Sequence, residues 1–236
     1  MPPNELTDRA LLEQGEIEIL GRMPWSSNGT FLVECCLDGR TARGIYKPHK
    51  GERPLWDFPD GLYRREVAAY ELSDALGWDL VPLTVVREEG PLGIGSLQAF
   101  VDADFEQHYF TLVEDETHHD TFRRMAAFDF VANNTDRKSG HCLIDTDAHI
   151  WGIDNGLSFH ADFKLRTVIW EFGGDPIDDD TRSDLDGLAS GDLAAPLAAL
   201  LGVFERDAVQ ARARALVRNK ELPTDPSGQR YPWPLV

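Results

Sequence analysis

Residues 30–37 (TFLVECCL) are rich in β-formers, and Asp38-Gly39 follows them directly. That dipeptide is the strongest short-range hairpin signal, so the pattern predicts a strand, a two-residue turn and a return strand over 40–47. Residues 62–77 carry apolar positions at helical spacing, and Gly77 marks the stop. Segments 81–87 and 94–101 read as two more strands around a turn containing Gly90-Pro91. From about residue 117 the character changes: 117–133 has helical spacing, a polar loop follows, and then a hairpin joins 142–144 to 150–153. Beyond Asp180 the pattern is helical, with leucines at 185, 188, 193, 197, 200 and 201; the tail from Pro223 is proline-punctuated and irregular. A β-rich part with one helix thus precedes a helical part with one hairpin. The order predicts an α+β molecule in two lobes, a small antiparallel sheet lobe (1–101) and a helical lobe (102–236), with the chain crossing near residue 101.

Charge and cysteines narrow the classes. The 236 residues hold 41 acidic and 23 basic side chains, a formal net charge of −18. Such a balance argues against a nucleic-acid surface, which needs clustered Lys and Arg. It also argues against adsorption to anionic lipid, where each basic residue near the surface contributes about 1 kcal/mol. A protein this acidic must gather its few cations, or a metal ion, wherever it meets an anionic ligand. No long apolar run predicts a membrane span, and the first residues lack the pattern of a signal peptide. The three cysteines include adjacent Cys35 and Cys36, whose side chains point to opposite faces of a strand, so no disulfide framework is expected and a reducing cytoplasm suits the chain. Nothing in the pattern fixes an oligomeric state.

Glu66 is the first residue with chemical implications. At 100° per residue it falls on the apolar face of its helix with Leu62, Ala69 and Tyr70, whereas Glu71 falls on the opposite side. A carboxylate turned to the core needs a cation, since burying it alone costs several kcal/mol. Lys47, ending a neighbouring strand, is the candidate; a surface pairing of Glu66 with Arg65 is the bland alternative. Ser26-Ser27-Asn28-Gly29-Thr30 precedes the first predicted strand and can present backbone N–H groups to phosphate oxygens, or can be an ordinary turn. Asn133-Asn134-Thr135-Asp136-Arg137 and Asp154-Asn155-Gly156 flank the second hairpin, which would bring them together. One carboxylate could orient or deprotonate an acceptor hydroxyl while the other holds Mg²⁺ on phosphates. Taken separately, Asp154-Asn155-Gly156 reads as a simple turn and Asn134-Thr135-Asp136-Arg137 as a helix C-terminus with a surface ion pair. Asp145 and Asp147 at the hairpin tip read as turn residues, and the scattered histidines (His118, His119, His141, His149, His160) lack zinc-site spacing.

In order, these segments resemble the kinase domain of type II phosphatidylinositol 4-kinases and, more broadly, the phosphatidylinositol 3/4-kinase and HipA-type group, over residues 20–172. Residues 26–30 resemble the phosphate loop, Tyr46-Lys47-Pro48 the ATP lysine, and Glu66-Val67-Ala68-Ala69-Tyr70 the helix of its paired glutamate. Residues 95–101 (GSLQAFV) resemble the hinge, Asn134-Thr135-Asp136-Arg137 the catalytic loop, and Ile153-Asp154-Asn155-Gly156-Leu157 the metal-binding segment. The resemblance implies a two-lobed protein-kinase-like fold and transfer of the γ-phosphate of ATP to a hydroxyl of protein Ser/Thr, a lipid or a polyol. It places the Gln98 carbonyl and Phe100 amide at the adenine edge, Lys47 at the α/β-phosphates, Asp154 on the metal, Asp136 at the attacking hydroxyl and Arg137 in support of the loop. Two departures stand out. His141 occupies the position where the family has a metal-ligating asparagine, and imidazole suits Mn²⁺ or Zn²⁺ better than Mg²⁺, which implies use of Mn²⁺, a single metal, a direct His141–phosphate contact or feeble activity. A short loop (51–61) replaces the cysteine-rich lipid-anchored insert. A catalytically silent nucleotide-binding module, or a nucleotidyl transferase, is the alternative.

Overall fold

The computed structural model describes residues 3–24 and 28–236, with the side chains of 3–8 left aside. Helix α1 (Pro3–Gln14) and strand β1 (Glu16–Arg22) open the chain, two elements the sequence pattern did not announce. Strands β2 (Phe31–Leu37) and β3 (Arg40–Pro48) form the predicted hairpin, pairing Leu37 with Arg40. Asp38 and Gly39 both take positive φ (51° and 75°), as a two-residue turn matching strand twist requires. Helix α2 (Leu62–Leu76), β4 (Thr84–Arg87) and β5 (Gly95–Ala99) complete this part. The antiparallel sheet runs β1-β2-β3-β5-β4.

Strand periodicity decides what the sheet offers to each side. Val33, Cys35, Tyr46, Val85 and Leu97 share a small core with Leu11 and Leu12 of α1. Lys47, one residue on from Tyr46, faces the other way. Helix α2 ends in a glycine cap: Gly77 has φ 65°, and the Trp78 amide reaches back to the Ser73 carbonyl at 3.0 Å. At its start, Glu52 accepts the amides of Leu62 (2.8 Å) and Tyr63 (2.7 Å). The face of α2 opposite Glu66 is not left to solvent. Glu71 is buried beneath α1, with Arg9 3.6 Å away, because α1 covers that side.

The helical part comprises α3 (Tyr109–Leu112), α4 (His119–Ala132), the hairpin β6 (Cys142–Ile144) and β7 (Ile150–Gly152), then α5 (Asp179–Ser190), α6 (Ala195–Leu200) and α7 (Val203–Asn219). Its large core takes in Phe122, Met125, Phe128, Leu185, Val209 and Leu216, and also Ala69, Leu72 and Leu76 of α2. Helix α2 is moored there by polar contacts as well. Arg65 pairs with Glu205, Arg64 donates to the Ala199 carbonyl (2.9 Å), and Trp78 Nε1 donates to Asp184 (2.8 Å).

One buried ion pair ties the helical part together. Asp129 on α4 and Arg137 in the following loop have side chains 0% and 1% exposed, with Arg137 Nη2 2.9 Å from Asp129 Oδ1 and Nε 3.0 Å from Oδ2. Arg137 also donates to Asn155 Oδ1 (2.7 Å) and the Ile153 carbonyl (2.8 Å). Removing one partner of such a pair leaves an uncompensated charge. Arg137→Leu is therefore expected to destabilise the protein by about 3–5 kcal/mol in urea unfolding, and the Asp129→Leu/Arg137→Leu double variant to recover part of the loss. A loss under about 1 kcal/mol for Arg137→Leu would show that the pair does not hold this region.

Candidate functional site

The site forms where four segments meet between the two parts. From β3, Lys47 Nζ contacts Glu66 Oε1 on α2 and lies 2.8 Å from Asp154 Oδ1, a residue 107 positions later. Burial opposes the lysine's charge, but Asp154 and Glu66 outweigh it and hold the ammonium above its usual range. Burial pushes the Glu66 carboxyl up against the pull of Lys47, while Lys47 drives Asp154 well below the usual carboxylate range. Glu66 also accepts the Asn155 amide at 3.0 Å. Gly156 follows for a steric reason: a Cβ there would stand 3.0 Å from Glu66 Oε1. Asp154 takes a positive φ of 56°, which a short polar side chain tolerates, and is half exposed to the cleft.

The second segment follows α4. Asn133 closes that helix with φ 55°, and the Asn134 amide bonds back to the Asp129 carbonyl (2.9 Å). The Asn134 side chain accepts the Asp136 amide (2.9 Å), and Thr135 is tied through its amide to the Leu157 carbonyl (2.9 Å). Asp136 is thereby set beside the 154–157 segment. Burial raises its carboxyl above the usual range, against the nearby Lys138 ammonium at 3.1 Å, and the charge of Asp154 pushes the same way as burial.

The β6–β7 hairpin supplies the third contact. Cys142 pairs with Gly152, and the Ile153 amide bonds the His141 carbonyl (2.9 Å), so His141 Nε2 comes within 3.4 Å of Asp154 Oδ2. Burial lowers the His141 imidazole to about 4, which keeps it neutral and a potential ligand at neutral pH. One nitrogen and one carboxylate oxygen at that spacing fit a divalent cation with nitrogen tolerance, and Mn²⁺ suits the donors better than Mg²⁺.

Lys47, Glu66, Asp136, His141 and Asp154 thus meet, and the expectation for the Phe100 amide is corrected. Phe100's amide donates to the Arg43 carbonyl at 3.1 Å, so it extends the β3–β5 pairing instead of facing the cleft. Gln98 itself pairs with Ile45 of β3 and Thr84 of β4, and its side-chain Nε2 donates to Thr84 Oγ1 (2.8 Å). Gly29's amide is taken by the Gly51 carbonyl (2.9 Å), because the two glycines pack backbone against backbone. Asn28 accepts the Arg53 amide (3.1 Å) and Thr30 is buried; Ser26 and Ser27 lie outside the described residues. Arg137, expected in support of the loop, is buried, and its donors go to Asp129, Asn155 and the Ile153 carbonyl. Sequence reasoning missed Asp129 and Lys138. Asp129 had a signal, a carboxylate among the apolar positions of a helix; Lys138 had none beyond standing two residues from Asp136.

No family model matches the chain. It is 42% identical over 265 positions to Protein Rv2133c of Mycobacterium tuberculosis, with 96% of this chain and 95% of that protein covered. The chain belongs to the Rv2133c family. Two solved structures share the fold of this Rv2133c-family chain. Hydra Fam20, solved with a sugar, superposes with a TM-score of 0.60 at 12% identity, over 89% of this chain and 86% of that one. The Helicobacter pylori proinflammatory kinase CtkA gives 0.52 at 11%, over 89% and 94%. The architecture, an antiparallel sheet lobe with a helical lobe, is kinase-like.

The Lys47–Glu66 pair makes a pH-dependent prediction. In Lys47→Met, Glu66 keeps only the Asn155 amide, so its folded pKa lies further above its unfolded value of about 4.3. A raised folded pKa means that stability is retained below the unfolded value and lost as pH rises through the folded one. Thermal unfolding should show Lys47→Met about 3–5 kcal/mol below wild type at pH 8 and much closer at pH 5. The Lys47→Met/Glu66→Gln variant should show a gap that no longer widens with pH. An equal gap at both pH values in the single variant would mean that Glu66 does not depend on Lys47.

Proposed function

We propose that the chain is an ATP-dependent, metal-requiring phosphotransferase acting on a hydroxyl acceptor. The observation that carries this reading is the Lys47 ammonium held between Glu66 and Asp154, with Asp136 alongside. Such a group can meet phosphate oxygens from one side while a carboxylate faces the acceptor from the other. Lys47, kept charged by its two partners, binds the α/β-phosphates. Asp154 and His141 are the residues that would hold a divalent cation, whose chemistry is to neutralise charge on the phosphates. Asp136, its carboxyl raised by burial, orients the acceptor hydroxyl and takes its proton as the new O–P bond forms and the bond from the γ-phosphorus to the β–γ bridging oxygen breaks. Lys138 steadies Asp136, and Arg137 fixes the loop through Asp129 and Asn155.

The order of motifs favours a phosphatidylinositol 3/4-kinase or HipA-type relationship within the kinase-like fold. The acidic surface and short 51–61 loop favour a protein or polyol hydroxyl over a membrane lipid.

ATP labelled at the γ-phosphate, offered with Mn²⁺ and the chain itself, a lipid extract or a polyol panel as acceptor, should transfer label in wild type. Asp154→Asn should abolish transfer yet leave nucleotide binding measurable, and Asp136→Ala should lower it by about 10²–10⁴-fold. Normal transfer by Asp154→Asn would refute the assignment. Movement of an α-phosphate label instead would identify a nucleotidyl transferase, and no movement of either a silent nucleotide-binding module.

A further inference from the structure

The loop between β3 and α2 holds a grouping outside the cleft chemistry. His49 follows the last residue of β3, Glu52 lies three positions on, and Asp60 stands just before α2. His49 Nε2 is 2.9 Å from Asp60 Oδ2, and one ligand atom from each of His49, Glu52 and Asp60 lies within 4.8 Å of the others. Among the described residues this is the group of three or more such side chains with that convergence.

We propose that His49, Glu52 and Asp60 form a second cation site, selective for Zn²⁺ over Mg²⁺, that clamps the loop joining Lys47 to Glu66. The donor set is one imidazole nitrogen and two carboxylates, a combination that suits Zn²⁺, whereas Mg²⁺ and Ca²⁺ prefer oxygen throughout. Glu52 is already oriented. Its two oxygens accept the Leu62 and Tyr63 amides at 2.8 and 2.7 Å, and a carboxylate has about four lone-pair positions, so acceptor capacity is left for a cation. Hydrogen bonds that hold a ligand carboxylate in this way are what metal sites use to fix their first ligands. The same carboxylate offsets the positive end of α2, which would otherwise repel the ion. His49 is fixed by its amide, which donates to the Ile94 carbonyl (2.8 Å), and its ring stands 5.7 Å from that of Tyr63. Asp60 is 85% exposed, and its contact with His49 Nε2 is one that an ion between the two would replace while water fills the remaining position. The site is therefore open and exchangeable rather than a sealed structural one.

Its consequence lies in what the loop touches. Gly51 accepts the Gly29 amide and the Arg53 amide donates to Asn28, so the loop carries the edge of the 28–30 segment as well as the ends of β3 and α2. An ion binding His49, Glu52 and Asp60 would join all three across a few residues. The inference does not depend on the phosphotransferase reading.

The test is Zn²⁺ titration by calorimetry into chelator-treated full-length protein, in excess Mg²⁺ and in the Asp154→Asn background so that the cleft is not read. One equivalent should bind, His49→Ala and Asp60→Ala should each weaken binding at least tenfold, and the His49 ring ¹⁵N resonances should move on Zn²⁺ addition. Amide exchange at Gly29 and Leu62 should slow with Zn²⁺ in that background and not in its His49→Ala derivative. Far-UV circular dichroism checks that the variants fold, and Glu52→Gln, which keeps an acceptor for the helix amides, stands in should either fail. Undiminished binding in His49→Ala, or unmoved His49 resonances, overturns the site; binding without slowed exchange overturns the clamp.

Discussion

A carboxylate inside an apolar helix face has few ways to exist, and Glu66 shows the one adopted here. It is nearly fully buried, and its charge is tolerated because Lys47 and the Asn155 amide reach it from two different segments. The demand for a cation draws β3 to α2, and the demand for a donor draws the 154–157 segment to both. Lys47 is then shared with Asp154, so a single buried acid organises charge across the boundary between the sheet and the helices. Gly156 and the left-handed Asp154 are local concessions to that closeness, one steric and one conformational.

A second constraint lies beneath it. Arg137 donates at once to α4, to Asn155 and to the Ile153 carbonyl, so the loop bearing Asp136 and the segment bearing Asp154 are referenced to the same guanidinium. The fork of a guanidinium suits this task, because several donors in fixed geometry set distances between their acceptors. Helix α2 is anchored in turn by Arg64, Arg65 and Trp78 to the last three helices and their connections. The cleft side chains are in this sense set by the protein's own contacts, with Lys47 paired to Glu66 and Asp154 and Asp136 beside Lys138.

The hairpin at 38–39, the stop at Gly77 and the order of sheet then helices were legible because each depends on local physics: positive φ at a turn, a glycine cap, a change of apolar period. Glu66 was legible too, since a charge on an apolar helix face poses a question whose answer must be another charge. Helix α1 and strand β1 were not, and their absence from the reading made Glu71 look like a surface residue. The hinge expectation failed at one amide, that of Phe100, and the Gly29 amide likewise goes to a backbone carbonyl. Whether the Phe100 or Gly29 N–H faces a cleft depends on which carbonyl lies opposite, and Arg43 and Gly51 are distant in sequence.

Composition and pattern by themselves determined that this chain is acidic and built of a β-rich part followed by a helical part, with Glu66 on an apolar helix face in need of a cation; the kinase-like order of its motifs came from their resemblance to a known family. Only the tertiary structure decided that Lys47, Glu66, Asp136, His141 and Asp154 meet, that Arg137 works from beneath them, and that His49 stands beside Glu52 and Asp60. Periodicity reports which face a side chain takes on its own element. The distance between two elements is set by packing, caps and buried pairs summed over the whole molecule, and no local window carries that sum.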